Sequence, residues 1–270
     1  MDNHDHFIFQ KRKILKYDLQ KINKQLIDFK DDDIAVEFPI TLKVNGEEFA
    51  TLVCTPIQIE ELVIGFLAGE GLIRVIADIH DINIDMETGF ANIELKNQNL
   101  RVSDFIEKRF VGSCCGKSRQ FYFQNDVKTA KTINVKGTFS VSQCLNLMTL
   151  VEEESQHFKK TGGIHQGALC NHSEILQFQS DIGRHNVLDK IYGHNLINNM
   201  RPQGKCIVFS GRISSEVLLK TAKMGIGMII SKSAPTNLAL DLANELGITI
   251  VGFARGDKMN VYTHQERIEI

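Results

Sequence analysis

Three short and almost entirely apolar segments in the second half of the chain constrain its fold more than any other feature. They span residues 206–209, 228–230 and 248–251, and they follow helix-like stretches at residues 186–196, 215–224 and 238–246. Strands that are apolar on both faces are buried on both faces, and their alternation with helices is typical of a sheet covered by helices. The second half therefore predicts an α/β core built on a buried sheet.

The first half has a different pattern and predicts antiparallel hairpins. Residues 34–44 alternate in part between apolar and polar, and Asn45-Gly46 is a strong turn signal between two strands. Residues 80–105 also have strand character, with a turn at residues 87–89. This half is expected to be mixed α and β.

Two further helices are predicted outside the strand–helix units. One covers residues 57–67, with Thr55 as its cap and Pro56 in its first turn. The other covers residues 142–158, where apolar residues recur at helical spacing.

These patterns divide the chain into three parts. Residues 1–33 are polar and charged, and they predict a loosely held arm. Residues 34–135 form the smaller mixed part, which includes a cysteine loop, and residues 136–270 form the α/β core.

Charge and hydropathy argue against a nucleic-acid-binding, membrane or secreted protein. A net charge of −2 over 270 residues gives no overall basic field to attract nucleic acid or an anionic membrane. The sequence has no apolar run long enough to span a bilayer, and residues 1–10 lack the apolar segment of a secretory signal. We therefore expect a cytoplasmic protein whose six cysteines are reduced.

The segment at residues 111–119 carries the most unusual chemistry. Cys114 and Cys115 are adjacent, lie between two glycines, and precede Lys117 and Arg119. Nearby cations favour the thiolate, which is the form that attacks sulfur, and the glycines leave the sulfur atoms uncrowded. The pattern is typical of a reactive, reachable thiol on a loop.

The segment at residues 111–119 admits other interpretations. A permanent structural disulfide between Cys114 and Cys115 is disfavoured, because consecutive Cα atoms lie about 3.8 Å apart, below the roughly 4.4–6.8 Å of a relaxed disulfide. A zinc site is disfavoured because no second pair of ligands with CxxC or HxxxH spacing exists. Composition alone does not separate a reactive loop from two small residues packed in a turn. The remaining cysteines are predicted to be buried apolar fillers, and they are Cys54, Cys144, Cys170 and Cys206.

Three turns at the starts of helices favour anions. They cover residues 180–186, 210–216 and 231–237, and their cations are Arg184, Arg212 and Lys232. Free N–H groups at a helix start attract phosphate, and parallel strands would bring all three turns to one sheet edge. Ordinary helix capping by Ser, Thr or Asn explains any one turn taken singly.

Other polar residues near these turns are candidates of different weight. His185, at a helix start, is the stronger candidate for a ligand contact. His165 could move a proton or bind a ligand, although a single histidine is more often structural. Asp189 and Lys190 are predicted to be a solvated pair on the outside of a helix.

Several short motifs follow one another along the chain. In the first half they are Val44-Asn45-Gly46, Thr55-Pro56 and Gly65-Phe66-Leu67. In the cysteine loop and the second half they are Ser113-Cys114-Cys115-Gly116-Lys117, Gly163-Ile164-His165, Asp181-Ile182-Gly183-Arg184-His185-Asn186, Ser210-Gly211-Arg212, Ser233-Ala234-Pro235-Thr236 and Gly252-Phe253-Ala254-Arg255. Taken together and in this order, the motifs resemble those of the FdhD/NarQ family over roughly residues 34–265.

The resemblance implies a fold and an activity. The fold would be a three-layer α/β/α core like that of cytidine deaminases, without their zinc ligands and with no tightly bound metal. The activity would be that of a sulfurtransferase required by formate dehydrogenase. Such a protein accepts persulfide sulfur from a cysteine desulfurase and passes it to the molybdenum bis(molybdopterin guanine dinucleotide) cofactor.

The resemblance also implies the site. The cofactor-binding stretch of the family falls here on Phe253, Ala254, Arg255, Gly256, Asp257 and Lys258. Phosphates of that cofactor would contact Arg184, His185, Arg212 and Lys232. A homodimer is implied as well.

One departure from the family pattern leaves the sulfur-bearing residue open. Many members have CxxC at the loop, whereas this chain has adjacent cysteines, so either Cys114 or Cys115 could correspond to the persulfide carrier. Two rival functions follow. One is a chaperone that holds the cofactor without reacting. The other is a zinc-dependent hydrolase of the deaminase type, disfavoured because no H-x-E occurs together with P-C-x-x-C in the sequence.

Overall fold

The computed structural model describes residues 8–17, 28–100, 133 and 137–270 of the chain. The first part contains β1 (Phe9–Lys16), β2 (Asp28–Ala35), β3 (Phe38–Val44), β4 (Glu47–Cys54), α1 (Ile59–Glu70), β5 (Ile79–Asp85) and β6 (Phe90–Leu95). The second part contains β7 (Phe139–Ser140), α2 (Val141–Glu154), α3 (Gln156–Thr161), β8 (His165–Cys170), β9 (Ile175–Asp181), α4 (Arg184–Ile197), β10 (Cys206–Phe209), α5 (Ser215–Lys223), β11 (Met228–Ser231), α6 (Asn237–Leu246), β12 (Thr249–Arg255), β13 (Lys258–Val261) and β14 (Ile268–Glu269).

A six-stranded sheet forms the centre of the second part, in the order β13-β12-β11-β10-β8-β9. Strands β10, β11 and β12 are parallel, as the apolar segments predict. Strand β8 is antiparallel to both β10 and β9, so β9 points in the same direction as β10. Four strands therefore end at one edge of the sheet, and β8 begins there.

Helices cover both faces of this sheet. Adjacent residues of β10 pack against different helical layers. Phe209 packs with α4, α5 and α6 on one face, and Val208 packs with α2 on the other. The chain thus has the predicted α/β class, with a sheet between two helical layers. The likeness to cytidine deaminases stays a prediction.

A four-stranded sheet of order β4-β3-β6-β5 forms the smaller part and packs on α1. Asn45 and Gly46 turn between β3 and β4 with positive φ angles of 50° and 85°, which confirms the predicted hairpin. The predicted start of the helix is wrong. Helix α1 begins at Ile59 after Gln58, and the Thr55 hydroxyl instead accepts a hydrogen bond from the Ile182 N–H of the core.

Two other predictions need correction. The polar arm contains the antiparallel pair β1–β2, in which basic residues of one strand face acidic residues of the other, as Lys11 faces Asp33. The alternation of residues does not predict these strands, because charged side chains occupy both faces. The predicted helix over residues 142–158 is divided into α2 and α3 at Ser155, whose hydroxyl donates to the Val151 carbonyl.

Within the described ranges, no helix combines the length and the apolar character needed to cross a bilayer. The boundary near residue 135 stays a prediction, since residues 134–136 lie outside the described ranges.

Helices α1 and α4 join the two parts by backbone contact. A Cβ atom placed on Gly65 would lie 1.7 Å from the Asp189 carbonyl oxygen, and one on Gly193 would lie 1.9 Å from the Glu61 carbonyl oxygen. These distances are far inside van der Waals contact. Only glycine at both positions allows the two helices to approach so closely, and this contact fixes where α4 lies.

We expect the substitution Gly65→Ala to lower the free energy of unfolding by about 3 kcal/mol or more, because overpacking against backbone cannot be relieved by a rotamer change. Urea unfolding monitored by circular dichroism measures the loss. Gly163→Ala is the matched control, since its Cβ would meet ordinary contacts at 3.6 and 3.9 Å. Equal stability of the two variants would contradict the close contact.

Candidate functional site

The edge at which β9, β10, β11 and β12 end gathers the predicted anion turns. The turns at residues 180–186, 210–216 and 231–237 follow β9, β10 and β11, and the stretch 253–258 lies at the end of β12. The expectation that parallel strands bring these turns together is therefore confirmed. We call this set of turns the anion edge.

Helix α4 begins at the anion edge without a side-chain cap. Its N-cap residue is Gly183, and the N–H groups of Arg184, His185 and Asn186 have no partner within the described residues. The Nε atom of Arg184 is buried and likewise has no hydrogen-bond partner among the described residues. Unpaired N–H groups and a guanidinium at a helix start form a natural anion contact.

Two residues of the predicted site already face carboxylates. His185 Nε2 lies 3.0 Å from Glu216 Oε2 of α5, and Lys232 Nζ lies 2.6 Å from Glu152 Oε1 of α2. An anionic ligand at this edge would compete with these carboxylates. The sequence did not indicate either acidic partner, because both are distant in the chain.

Serine residues of the second and third turns connect the turns to each other. The Ser233 hydroxyl donates to the Ser210 carbonyl at 3.0 Å, and the Ser231 hydroxyl donates to the Gly211 carbonyl at 2.7 Å. Ser214 does cap α5, since its hydroxyl accepts from Val217 N at 3.4 Å. Helix capping thus explains one of these serines, and the others hold the loops in a fixed arrangement.

The stretch at the end of β12 presents two exposed side chains beside Lys232. Phe253 has a φ of 51° and is 41% exposed. The Arg255 guanidinium lies 5.9 Å from the centre of the Phe253 ring, and Arg255 Nε donates to the Lys232 carbonyl at 2.9 Å. Ala254 is buried beneath α2, so its side chain does not face the edge.

The other members of the predicted site lie nearby in the chain and are exposed. Gly256 and Asp257 form the turn between β12 and β13, and Lys258 begins β13 opposite Arg255. Arg212 is exposed at the start of the second turn.

His165 opens β8 at the same edge and faces Asp181 of β9 in the strand register. Burial lowers the pKa of His165, the Arg184 guanidinium lowers it further, and the Asp181 carboxylate opposes them. The imidazole is therefore neutral near pH 7. No hydrogen bond joins it to another described residue, so it is available to a ligand or a proton.

The prediction of a solvated Asp189–Lys190 pair is wrong. Both side chains are buried, and each pairs with another residue: Lys190 with Asp181, and Asp189 with Lys220 of α5. Asp189 and Lys190 point in different directions because adjacent helical residues do not share a face.

Sequence reasoning missed Asp181 and Thr55, which together hold the turn before α4. Asp181 Oδ1 accepts from Gly183 N and from Asn186 Nδ2, both at 2.8 Å. Thr55 reaches the same turn from the end of β4. An aspartate at the last position of a strand, directly before a helix start, was the available signal, whereas the position of Thr55 depends on tertiary packing.

Cys114 and Cys115 lie outside the described residues. The other four cysteines are buried and free, as predicted. Burial raises the pKa of the Cys54, Cys144 and Cys170 thiols to about 12, and burial also raises that of Cys206. These thiols stay protonated at neutral pH and are poor nucleophiles.

Comparison with known proteins decides the family. The profile of the FdhD/NarQ family matches residues 35–269. This chain belongs to the FdhD/NarQ family.

Relatives in the FdhD/NarQ family match over nearly their whole length. A protein of Geobacillus kaustophilus named sulfur carrier protein FdhD is 56% identical over 98% of both chains. One of the same name in Bacillus subtilis is 51% identical over 95% of this chain and 96% of its own. A crystal structure of a candidate formate dehydrogenase accessory protein from Desulfotalea psychrophila matches the fold with a TM-score of 0.78, at 21% identity and over 97% of this chain and all of its own.

We expect His165 of this FdhD/NarQ chain to titrate below its ordinary pKa of 6.5. The unfolded chain then binds the proton more readily, so the stability linked to His165 falls as the pH is lowered through 6.5. Arg184→Gln should raise the pKa of His165, because it removes a neighbouring positive charge. Proton NMR of the imidazole measures both pKa values, and Arg201→Gln, which lies beyond the far end of α4, is the control. A pKa at or above 6.5 in the wild type would contradict the arrangement.

Proposed function

We propose that this chain is a sulfur carrier that acts in the maturation of formate dehydrogenase. Near-full-length identity of 56% and 51% with relatives named sulfur carrier protein FdhD is the observation that carries this proposal. In detail, sulfur from a cysteine desulfurase is held as a persulfide on Cys114 or Cys115. It then passes to the molybdenum bis(molybdopterin guanine dinucleotide) cofactor before that cofactor enters the enzyme.

The first step is an exchange at sulfur. The thiolate of Cys114 or Cys115 attacks the terminal sulfur of the desulfurase persulfide, a new S–S bond forms, and the S–S bond of the donor breaks. The donor cysteine leaves as a thiolate, so no external oxidant or reductant is needed. Lys117 and Arg119 support this step because positive charge favours the attacking thiolate.

The second step moves sulfide to molybdenum. The carrier persulfide gives up its terminal sulfur, and the other cysteine of the pair supplies two electrons by forming a disulfide with the first. An oxide on molybdenum leaves as water and takes the two protons of the persulfide and the thiol. The resulting bridge between adjacent residues is strained, and strain makes a disulfide easier to reduce.

The anion edge supports the docking of the cofactor. Its guanine dinucleotide carries pyrophosphate groups, which suit the uncapped start of α4 and the guanidinium of Arg184. Phe253 offers an exposed ring and Arg255 a cation on the neighbouring loop. Neutral His165 lies at the same edge and is in position to exchange a proton with a bound ligand.

We expect the double variant Cys114→Ala, Cys115→Ala to abolish activation of formate dehydrogenase and the gain of one sulfur atom after incubation with desulfurase and cysteine. Intact-protein mass spectrometry and an activation assay measure the two effects. Cys170→Ala is the matched control, because its thiol is buried with a pKa raised to about 12. Full activation by the double variant would reject the carrier role in favour of a cofactor-holding chaperone.

We also expect the chain to bind GDP, a fragment of the proposed cofactor, at the anion edge. Arg184→Gln should weaken this binding by roughly tenfold or more, since a charged hydrogen bond to phosphate contributes about 1.5–3 kcal/mol. Isothermal titration calorimetry gives the dissociation constants. Arg201→Gln, which removes a cation beyond the opposite end of α4, should bind as the wild type does. Equal weakening by both variants would show an unspecific effect of charge.

A further inference from the structure

The turn before α4 is held from outside by the end of β4. The Thr55 hydroxyl accepts from Ile182 N at 3.1 Å, and Thr55 N donates to Asp181 Oδ2 at 3.1 Å. Asn186 Nδ2 donates to the Val53 carbonyl at 2.8 Å. A strand of the smaller sheet therefore hydrogen bonds to the turn that presents Arg184 and His185.

A buried ion pair lies beneath these hydrogen bonds. Lys190 Nζ lies 2.7 Å from Asp181 Oδ2, and both side chains are 0% exposed. The same ammonium group donates to the Thr55 carbonyl at 3.2 Å and to the Ser180 carbonyl at 3.1 Å. All three of its N–H groups are thus used, which is the condition for a charged group to be tolerated without water.

The carboxylate of Asp181 is also fully used. Its two oxygens accept from Gly183 N, Asn186 Nδ2, Thr55 N and Lys190 Nζ. Together with the Thr55 hydroxyl, this carboxylate engages the N–H groups of Ile182 and Gly183. The next N–H groups along the chain, beginning with Arg184, have no hydrogen-bond partner among the described residues.

Attachment of the two parts does not require this network. The close packing of α1 on α4 through Gly65 and Gly193 already joins them by backbone contact. A buried ion pair contributes little net stability compared with apolar residues of the same volume, because desolvation offsets the attraction. The network instead fixes the geometry of the turn before α4, because each of its hydrogen bonds restrains the orientation of the groups that it joins.

We propose that Thr55, acting through Asp181 and Lys190, is a positioning residue that sets the orientation of the α4 turn and thereby the affinity of the anion edge. The smaller part of the molecule then controls a site whose ligand contacts belong to the core. By linkage, a ligand on the turn would in return stabilise the contact of β4 with the core. The positioning role concerns the free protein, and its effect on affinity rests on the proposed docking of the cofactor.

The experiment compares Thr55→Val, Thr55→Ser and Thr263→Val in the full-length chain. Valine keeps the shape of threonine and removes the acceptor for Ile182 N, whereas serine keeps the hydroxyl. Thr263 is the matched control, because it is buried and its hydroxyl accepts from Ile250 N at 2.9 Å at the opposite edge of the sheet. Thr55→Val loses one buried hydrogen bond to the backbone. Thr263→Val loses two, because the Thr263 hydroxyl also donates to the Ile248 carbonyl at 2.7 Å. The control is therefore at least as disruptive locally as the test variant.

Amide hydrogen exchange of the ligand-free proteins is the first readout. Val187 N donates to the Gly183 carbonyl at 3.2 Å and closes the first turn of α4. Thr55→Val should speed exchange at Gly183 and Val187 by about tenfold, while Thr55→Ser and Thr263→Val leave these two amides unchanged. Unchanged exchange in Thr55→Val, or faster exchange throughout the chain, would overturn the positioning role.

Calorimetric titration with GDP is the second readout. Thr55→Val should weaken binding by about tenfold, Thr55→Ser should restore it, and Thr263→Val should bind as the wild type does despite its lower stability. Equal affinities of Thr55→Val and Thr263→Val would overturn the control of affinity by Thr55. If the wild type itself fails to bind GDP, the proposed docking of the guanine dinucleotide is wrong, and the exchange readout alone decides the positioning role.

Discussion

The backbone contact between α1 and α4 is the constraint on which the arrangement of the molecule depends. It requires glycine at residues 65 and 193, and it sets the position of α4 between the smaller part and the six-stranded sheet. Helix α4 in turn supplies Lys190 to the buried pair and Arg184 to the anion edge. A displacement of α4 by the width of one methyl group would therefore move Arg184 and Lys190, although the two glycines lie away from the anion edge.

Two side chains of the anion edge already lie beside carboxylates of the protein itself. Lys232 faces Glu152, so its charge is partly offset towards a distant anion, and the His185 ring faces Glu216. This fits a chain with a net charge of −2, which has no long-range attraction for phosphate. A ligand of the proposed kind would gain its specificity from directed contacts at short range, where an uncapped helix start and Arg184 can align with it.

The sequence predicted the sheet of the core, because buried parallel strands and their helices leave a local signal in the order of apolar and polar residues. Residues 206–209 and 228–230 lie in β10 and β11 as expected, and the anion turns follow from the common direction of the strands. The strands β1 and β2 were missed because their pairing depends on opposite charges, as between Lys11 and Asp33, rather than on an alternating pattern.

The candidate site was predicted less completely, since its internal bonds join residues far apart in the chain. Arg184, Lys232 and Arg255 were named from local motifs and do meet at one edge. The roles of Thr55 and Asp181 could not be predicted, because they are separated by more than a hundred residues and meet only through the packing of α1 on α4. Thr55-Pro56 has the local signature of a helix start, and tertiary packing overrides that signature here.

The burial of four cysteines bears directly on how a sulfur carrier would keep its chemistry selective. A sulfur carrier meets a persulfide donor, and any reachable thiolate could take the sulfur in a side reaction. Four thiols are kept from this side reaction for two reasons: they lie in the core, and burial raises their pKa values. They belong to Cys54, Cys144, Cys170 and Cys206. Protonated thiols away from solvent do not attack sulfur at neutral pH. In the function proposed above, transfer is left to the adjacent pair, Cys114 and Cys115, whose neighbours in the sequence include glycine, lysine and arginine.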